Sequence, residues 1–281
     1  MFQMQGVAPF PPACVPREVE EESKPVFYRE ILTSGKRSGQ CFSIRLAYDD
    51  HDRTSASEII NRMYGKRGYG SAHQVLARSE CLTFTACCGE EMIGTLTLRV
   101  DSPARLCADE TFPGEMAALR TSSRASLCEL TKFAFDPSPD SRPLLAKLFH
   151  VIFIYGTQRF ACSDLVIEVN PRHVMFYEAM LGFARVGALR TNELVHAPSQ
   201  LMHLTVSQIG KNIMRYAGGG PCAGRSLYPY FFGEFEERDL RQRISVSAAE
   251  GQFAIRRPQA ELQTRSVRRN HPLAQRKRAA A

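Results

Sequence analysis

From position 41 onward the hydrophobic and polar positions fall into runs that read as separate elements. SIRLAYDD (Ser43 to Asp50) reads as a first strand, and Ser55 to Tyr64 as a helix with Ile59, Ile60 and Met63 on one side. CLTFTACCGEEMIGTLTLRV (Cys81 to Val100) predicts a hairpin turning near Gly89-Glu90. Asp101 to Ser126 shows no sustained period and is expected to be irregular. SLCELTKFAFDP (Ser126 to Pro137) predicts a short strand stopped by Asp-Pro. The next run, PSPDSRPLLAKLFHVIFIYGTQRF, predicts a helix capped by Asp140 or Ser141, with Pro143 in its first turn. Leu144, Leu148, Val151, Ile152 and Tyr155 give its apolar face. DLVIEVN reads as a strand, PRHVMFYEAMLGF as a helix ending near Gly182, and ARVGALR and LMHLTVSQ as strands. Strands first, then an alternating run, predict an α/β (α+β) domain: a mixed sheet with helices packed on it.

The flanks read differently. Residues 1–40 are rich in Pro, Glu, Ser and Gly without a period and are expected to be disordered; 41–209 carry the folded domain. Residues 210–281 hold the linker YAGGGPCAG, an aromatic-acidic patch (LYPYFFGEFEERDLRQRI) able to form a short docking helix, and a basic tail. The 281 residues, 44% hydrophobic and 23% charged, suit one globular domain with appendages. The net charge of +7 is carried by residues 254–281, with eight Arg/Lys and one Glu. That tail can touch acidic surfaces, but the neutral remainder is not marked as a nucleic-acid binder. No apolar run reaches the roughly 20 residues needed to span a bilayer, and no signal-peptide pattern is seen, so a cytoplasmic protein is expected. The nine cysteines show no CxxC and no Cys/His cluster with metal-ligand spacing. Reduced, mostly buried thiols and no metal are expected.

One strand carries charges where none are expected. Glu129 and Lys132 interrupt an apolar run, and burying an ionised group is costly unless it is paired or used. In a regular strand Glu129 shares a face with Leu127, Thr131, Phe133 and Phe135, and Lys132 with Cys128, Leu130 and Ala134. The two serve one site only if a bulge intervenes. A buried Glu paired with a neighbouring cation for structure is the alternative reading of Glu129.

VIEVNPRHVMFYEAMLGF, with Asn170, Tyr177, Gly182 and Phe183, resembles the last motif of the GCN5-related N-acyltransferases. The resemblance implies a twisted mixed sheet whose two central parallel strands splay apart around the pantetheine arm of an acyl donor. It also implies a bulge in the strand before the gap, here at about Lys132 to Phe135, whose backbone N–H stabilises an oxyanion. In that family a Gly-rich loop, R/Q-x-x-G-x-G/A, holds the coenzyme A pyrophosphate. Here the corresponding DPSPDSRPL has no Gly, and its prolines lack N–H donors. Acyl carrier protein, which presents pantetheine without the nucleotide, needs no such cradle. Arg142 and Lys147, near that helix start, could meet its acidic surface; ordinary exposed charges are the other reading.

ELTKFAFD resembles the E-L-S-R-F signature of acyl-homoserine-lactone synthases. The ordered set TLTLRVDSPARLCADETFPGEMAALR, CELTKFAFDP and VNPRHVMFYEAMLGF resembles the long-chain N-acyl amino acid synthases of the FeeM type, over roughly residues 42–205. NRMYGKRGY (Asn61 to Tyr69) is loosely similar to the acceptor-covering loop of the lactone enzymes. The implied activity moves an acyl group from an acyl-phosphopantetheine thioester, on acyl carrier protein or coenzyme A, to the amino group of an amino acid, with no permanently bound cofactor. Glu129 is then the general base and Tyr177 the acid for the leaving sulfur. Lys132, Arg99, Asp101 and Arg120 would bind the acceptor. Phe133, Ala134, Phe135, Asn170 and His173 would line the oxyanion and pantetheine site. Tyr177 as helix packing, Asn170 as a helix cap and His173 as a surface histidine stay open. So do lactone synthesis, another amine acceptor, and a non-catalytic module binding lipid or a partner through residues 227–235 and the tail.

Overall fold

The computed structural model describes residues 26–123, 125–138, 140–220 and 224–249. Eight strands form one sheet: β1 (Val26–Ile31), β2 (Cys41–Leu46), β3 (Cys81–Cys88), β4 (Glu91–Val100), β5 (Leu127–Phe135), β6 (Asp164–Val169), β7 (Ala184–Asn192) and β8 (Ala197–Thr205). Their order is β1-β2-β3-β4-β5-β6-β8-β7. Only β5 and β6 run parallel, because α4 (Ser141–Phe160) carries the chain back between them; every other neighbouring pair is antiparallel. The parallel pairing covers only Leu127–Glu129 against Asp164–Val166. Beyond it the two strands part, which is the splayed centre that the resemblance implied.

Helix α1 (Asp50–Gly65) lies on one face, where Ile59, Ile60 and Met63 pack with Ala134 of β5. The same face carries the short α2 (Ala108–Thr111) and α3 (Pro113–Ser123), with Phe112 and Met116 against Leu127 and Val166. The opposite face carries α4, buried from Leu144 to Gly156 except for Lys147. A helix so apolar all round must be covered on both sides, and α7 (Glu234–Ala249) supplies the outer cover. Helices α5 (Val174–Leu181) and α6 (Val206–Tyr216) complete the domain. One glycine is required by packing. A Cβ on Gly94 would lie 2.3 Å from Cδ2 of Phe135 on the neighbouring strand. No helix of the described residues is long and apolar enough to cross a membrane.

Four expectations are corrected. β1 falls inside the segment read as disordered; it pairs with β2 and buries Phe27, so non-local pairing overrides a polar composition. The rest of that segment, residues 1–25, lies outside the described residues. Asp101 to Ser126 is not irregular: α2 and α3 occupy it, and Pro113 at the first position of α3 was a readable start signal. Asp140 stands at the N-cap of α4 but makes no capping bond; its Oδ2 accepts from the Lys36 N–H at 3.1 Å. Cys128 and Cys162 are joined in a disulfide, because the crossover returns the end of α4 to the start of β5 with Cα atoms 6.2 Å apart. From the patch at 227–244 a helix does form, over Glu234–Ala249, and it packs on α4, whereas the basic tail lies outside the described residues.

Candidate active site

The site forms around β5. Between β4 and β5 the register slips: Thr95 faces Ala134 but Thr97 faces Thr131, so β5 carries one extra residue. This is the predicted bulge, and Lys132 sits in it with φ of 52°. The bulge changes the faces. Phe133 now meets Phe149 of α4, and Phe135 joins the α4 side, while Ala134 turns to α1. Lys132 therefore comes to the face that carries Glu129, and both feel the charge of Arg99.

Glu129 is buried, 2% exposed. Its Oε2 accepts from the Cys107 N–H at 2.6 Å and its Oε1 from the Ala108 N–H at 3.1 Å, both at the start of α2. Burial raises its pKa to about 7; the Cys107 amide and Arg99 oppose that rise and Glu168 adds to it. A carboxylate poised there can take a proton near neutral pH. Arg99 stands opposite Glu129 on β4. Its Nη1 donates to Cys107 Sγ at 3.1 Å and its Nη2 to the Ala104 carbonyl, while Nε is buried without a partner. Lys132 does not pair with Glu129; its Nζ donates to the Gln74 carbonyl. Burial lowers the Lys132 pKa.

Arg120 and Asp101 are brought together. Arg120 donates from Nε and Nη2 to Asp101 and from Nη1 and Nη2 to Asp109, each between 2.6 and 2.9 Å. Its guanidinium is committed to fastening the loop before α2 to α3. Tyr177 is buried on α5 against Phe176 and Phe183, with burial raising its pKa strongly and Tyr64 among its electrostatic neighbours. Asn170 caps the turn leading into α5, accepting from the Arg172 N–H at 3.2 Å and donating to the Pro198 carbonyl. His173 follows in that turn, its pKa lowered by burial and by Arg67 and Arg172. Arg142 and Lys147 are engaged within the chain. Arg142 donates to the Gly224 and Ser226 carbonyls at 2.5 and 3.0 Å; Lys147 donates to Glu30 at 2.5 Å and to the Tyr28 hydroxyl at 3.0 Å.

Sequence reading missed Tyr64 as a site residue. At the end of α1, its pKa is pushed up to about 12 by burial, and the amide of bulge residue Phe133 acts on its hydroxyl. Its ring packs on Tyr69 and His73. The only signal was its place in NRMYGKRGY. The amides of Cys107 and Ala108 carried no signal at all.

A cleft of about 460 Å³ opens at the start of α4, lined among others by Arg37, Asp136, Asp140, Arg142 and Lys147. Arg37 is held by Glu91 and Asp136, each at 2.7 Å. With Arg142 and Lys147 also engaged, the cleft presents no free guanidinium to a pyrophosphate, and three carboxylates, Glu30, Asp136 and Asp140, stand in it. Among the described residues no group of three or more His, Cys, Asp or Glu could hold a metal.

The family model for the N-acyl amino acid synthase FeeM matches residues 55–205. Among solved structures, an N-acyl amino acid synthase, FeeM, from uncultured soil microbes is 26% identical with a TM-score of 0.53, covering 60% of this chain and 94% of that one. The AHL synthase LasI gives 12% and 0.46 over 60% and 91% of the two chains. A probable acetyltransferase from Staphylococcus epidermidis gives 14% and 0.41 over 58% and 98%. No curated protein matches.

Proposed function

The chain belongs to the FeeM family of N-acyl amino acid synthases and is an acyltransferase; from that premise we propose that it moves an acyl group from acyl carrier protein to the amino group of an amino acid. The observation that carries the reading is Glu129, buried on the strand that bulges at Lys132 and raised to about 7.

The chemistry runs as follows. Glu129, directly or through a water, takes one proton from the acceptor ammonium. The freed amine attacks the thioester carbon, and the oxygen that becomes anionic is met by a backbone N–H of the bulge. As the carbon–sulfur bond breaks, the amine's second proton passes to the thiolate, with Tyr177 the donor to sulfur. Burial keeps Tyr177 protonated and so able to donate. The products are amide and thiol; Glu129 returns its proton to solvent. Arg99, through its unpartnered Nε, and Lys132 hold the acceptor carboxylate. A carrier-borne donor is favoured over coenzyme A by the start of α4, where no glycine opens the backbone and Asp136 and Asp140 would repel a pyrophosphate.

The test supplies the purified chain with matched acyl chains on acyl carrier protein and on coenzyme A, with a mixture of amino acids, and reads products by mass spectrometry. An N-acyl amino acid formed preferentially from the carrier is expected. Product from coenzyme A alone would overturn the donor assignment, and no amide from either would overturn the reaction. Lys132→Gln and Arg99→Leu are each expected to raise the acceptor KM about tenfold or more, the worth of a charge-assisted hydrogen bond, with the donor KM unchanged. Steady-state kinetics in both substrates checks this.

A further inference from the structure

We propose that Tyr228 and Phe231, in a C-terminal segment beyond the residues matched by the family, close the far end of the acyl-chain slot and so set the length of chain the enzyme transfers. The proposal rests on the acyl-transfer reading above and deepens it.

A small apolar cavity of about 30 Å³ lies under α4 and is lined among others by Leu98, Leu130, Phe149, Leu165, Tyr228 and Phe231. Its one side-chain hydroxyl off the C-terminal segment, Thr157, is turned back onto the Phe153 and Ile154 carbonyls. Such a space suits the end of an alkyl chain and offers a polar ligand nothing. It also adjoins the bulge. Phe149 lines the cavity and meets the Phe133 ring at 5.8 Å, so one aromatic pair separates the reacting carbonyl from it.

The wall is firmly built. Leu227, Tyr228, Phe231 and Phe232 are all buried. The Tyr228 hydroxyl donates to the Leu181 carbonyl at 2.9 Å, and the Leu227 N–H donates to the Met180 carbonyl at 2.9 Å. His150 of α4 is the peg: its Nδ1 accepts from the Phe232 N–H at 3.0 Å, and its ring stacks on Phe231 at 4.6 Å and on Phe232 at 5.2 Å. The family match ends at residue 205, so this wall lies beyond the residues that match covers.

The experiment measures products of Phe231→Ala, Phe231→Leu and Phe231→Trp beside the wild type, offered an equimolar ladder of acyl-carrier thioesters. The kcat/KM ratio of the chain two carbons longer than the wild-type optimum to that optimum is expected to rise about tenfold or more in Phe231→Ala, less in Phe231→Leu, and to fall in Phe231→Trp. Should Phe231→Ala not fold, the Leu and Trp variants still move in opposite directions if the wall sets length. With an active wild type, a length profile left unchanged in all folded variants overturns the proposal. A wild type that makes no amide overturns instead the function it rests on.

Discussion

Glu129→Gln is expected to lower kcat/KM by about 10²- to 10⁴-fold, the usual contribution of a positioned general base, while the acceptor still binds. Wild-type kcat/KM should rise with pH and level off above about 7, the value to which burial raises this carboxyl. That limb should vanish in the variant. Stability supplies an independent reading. A carboxyl whose folded pKa lies above its ordinary 4.5 binds protons more tightly in the folded protein. Its contribution is greatest below the unfolded value and declines as pH rises from 4.5 to about 7, by an amount on the order of 3 kcal/mol. Denaturant midpoints across pH 5 to 8 should therefore slope downward in the wild type more than in Glu129→Gln. Equal activity in the two proteins would place the base elsewhere and leave Glu129 only its grip on the Cys107 and Ala108 amides.

Arg120→Leu is expected to cost about 1–3 kcal/mol of stability, because it leaves the buried Asp109 carboxylate short of donors. Asp109 is 8% exposed, and burial alone would raise its pKa. Arg120 and the Leu106 amide outweigh that and hold it low. Without Arg120 its remaining cation is Arg105, at 3.4 Å and largely exposed. Arg120→Lys keeps the charge but not the fork that grips two carboxylates, so an intermediate loss is expected. Urea unfolding with acceptor kinetics separates the two roles. A structural clamp loses stability first, whereas an acceptor-binding Arg would raise the acceptor KM in a protein of unchanged stability.

The candidate site was legible where its residues lie close together in sequence. Glu129 and Lys132, three apart in one strand, could share a site only through a bulge, and the register slip between Thr95 and Thr97 supplies it. The missing glycine at the start of α4 was equally plain. Arg120 was not legible: an Arg beside an acidic loop reads alike whether it binds substrate or Asp101 and Asp109, and only the fold of α2 and α3 decides. Arg142 and Lys147 look like free surface cations in a helical pattern. They are engaged by carbonyls 82 and 84 residues later and by a carboxylate 117 residues earlier.

What the sequence by itself determined is what short-range periodicity and backbone chemistry control: the hairpin, the long apolar helix, the alternating run from β5 to β8 and the family. The pairing of β1 with β2, the two amides on Glu129, the disulfide at Cys128 and the C-terminal wall on His150 were decided by tertiary structure alone. Each joins segments far apart in the chain. Such contacts form because burial and hydrogen-bond satisfaction select them in the whole folded chain, and no local pattern encodes the partner.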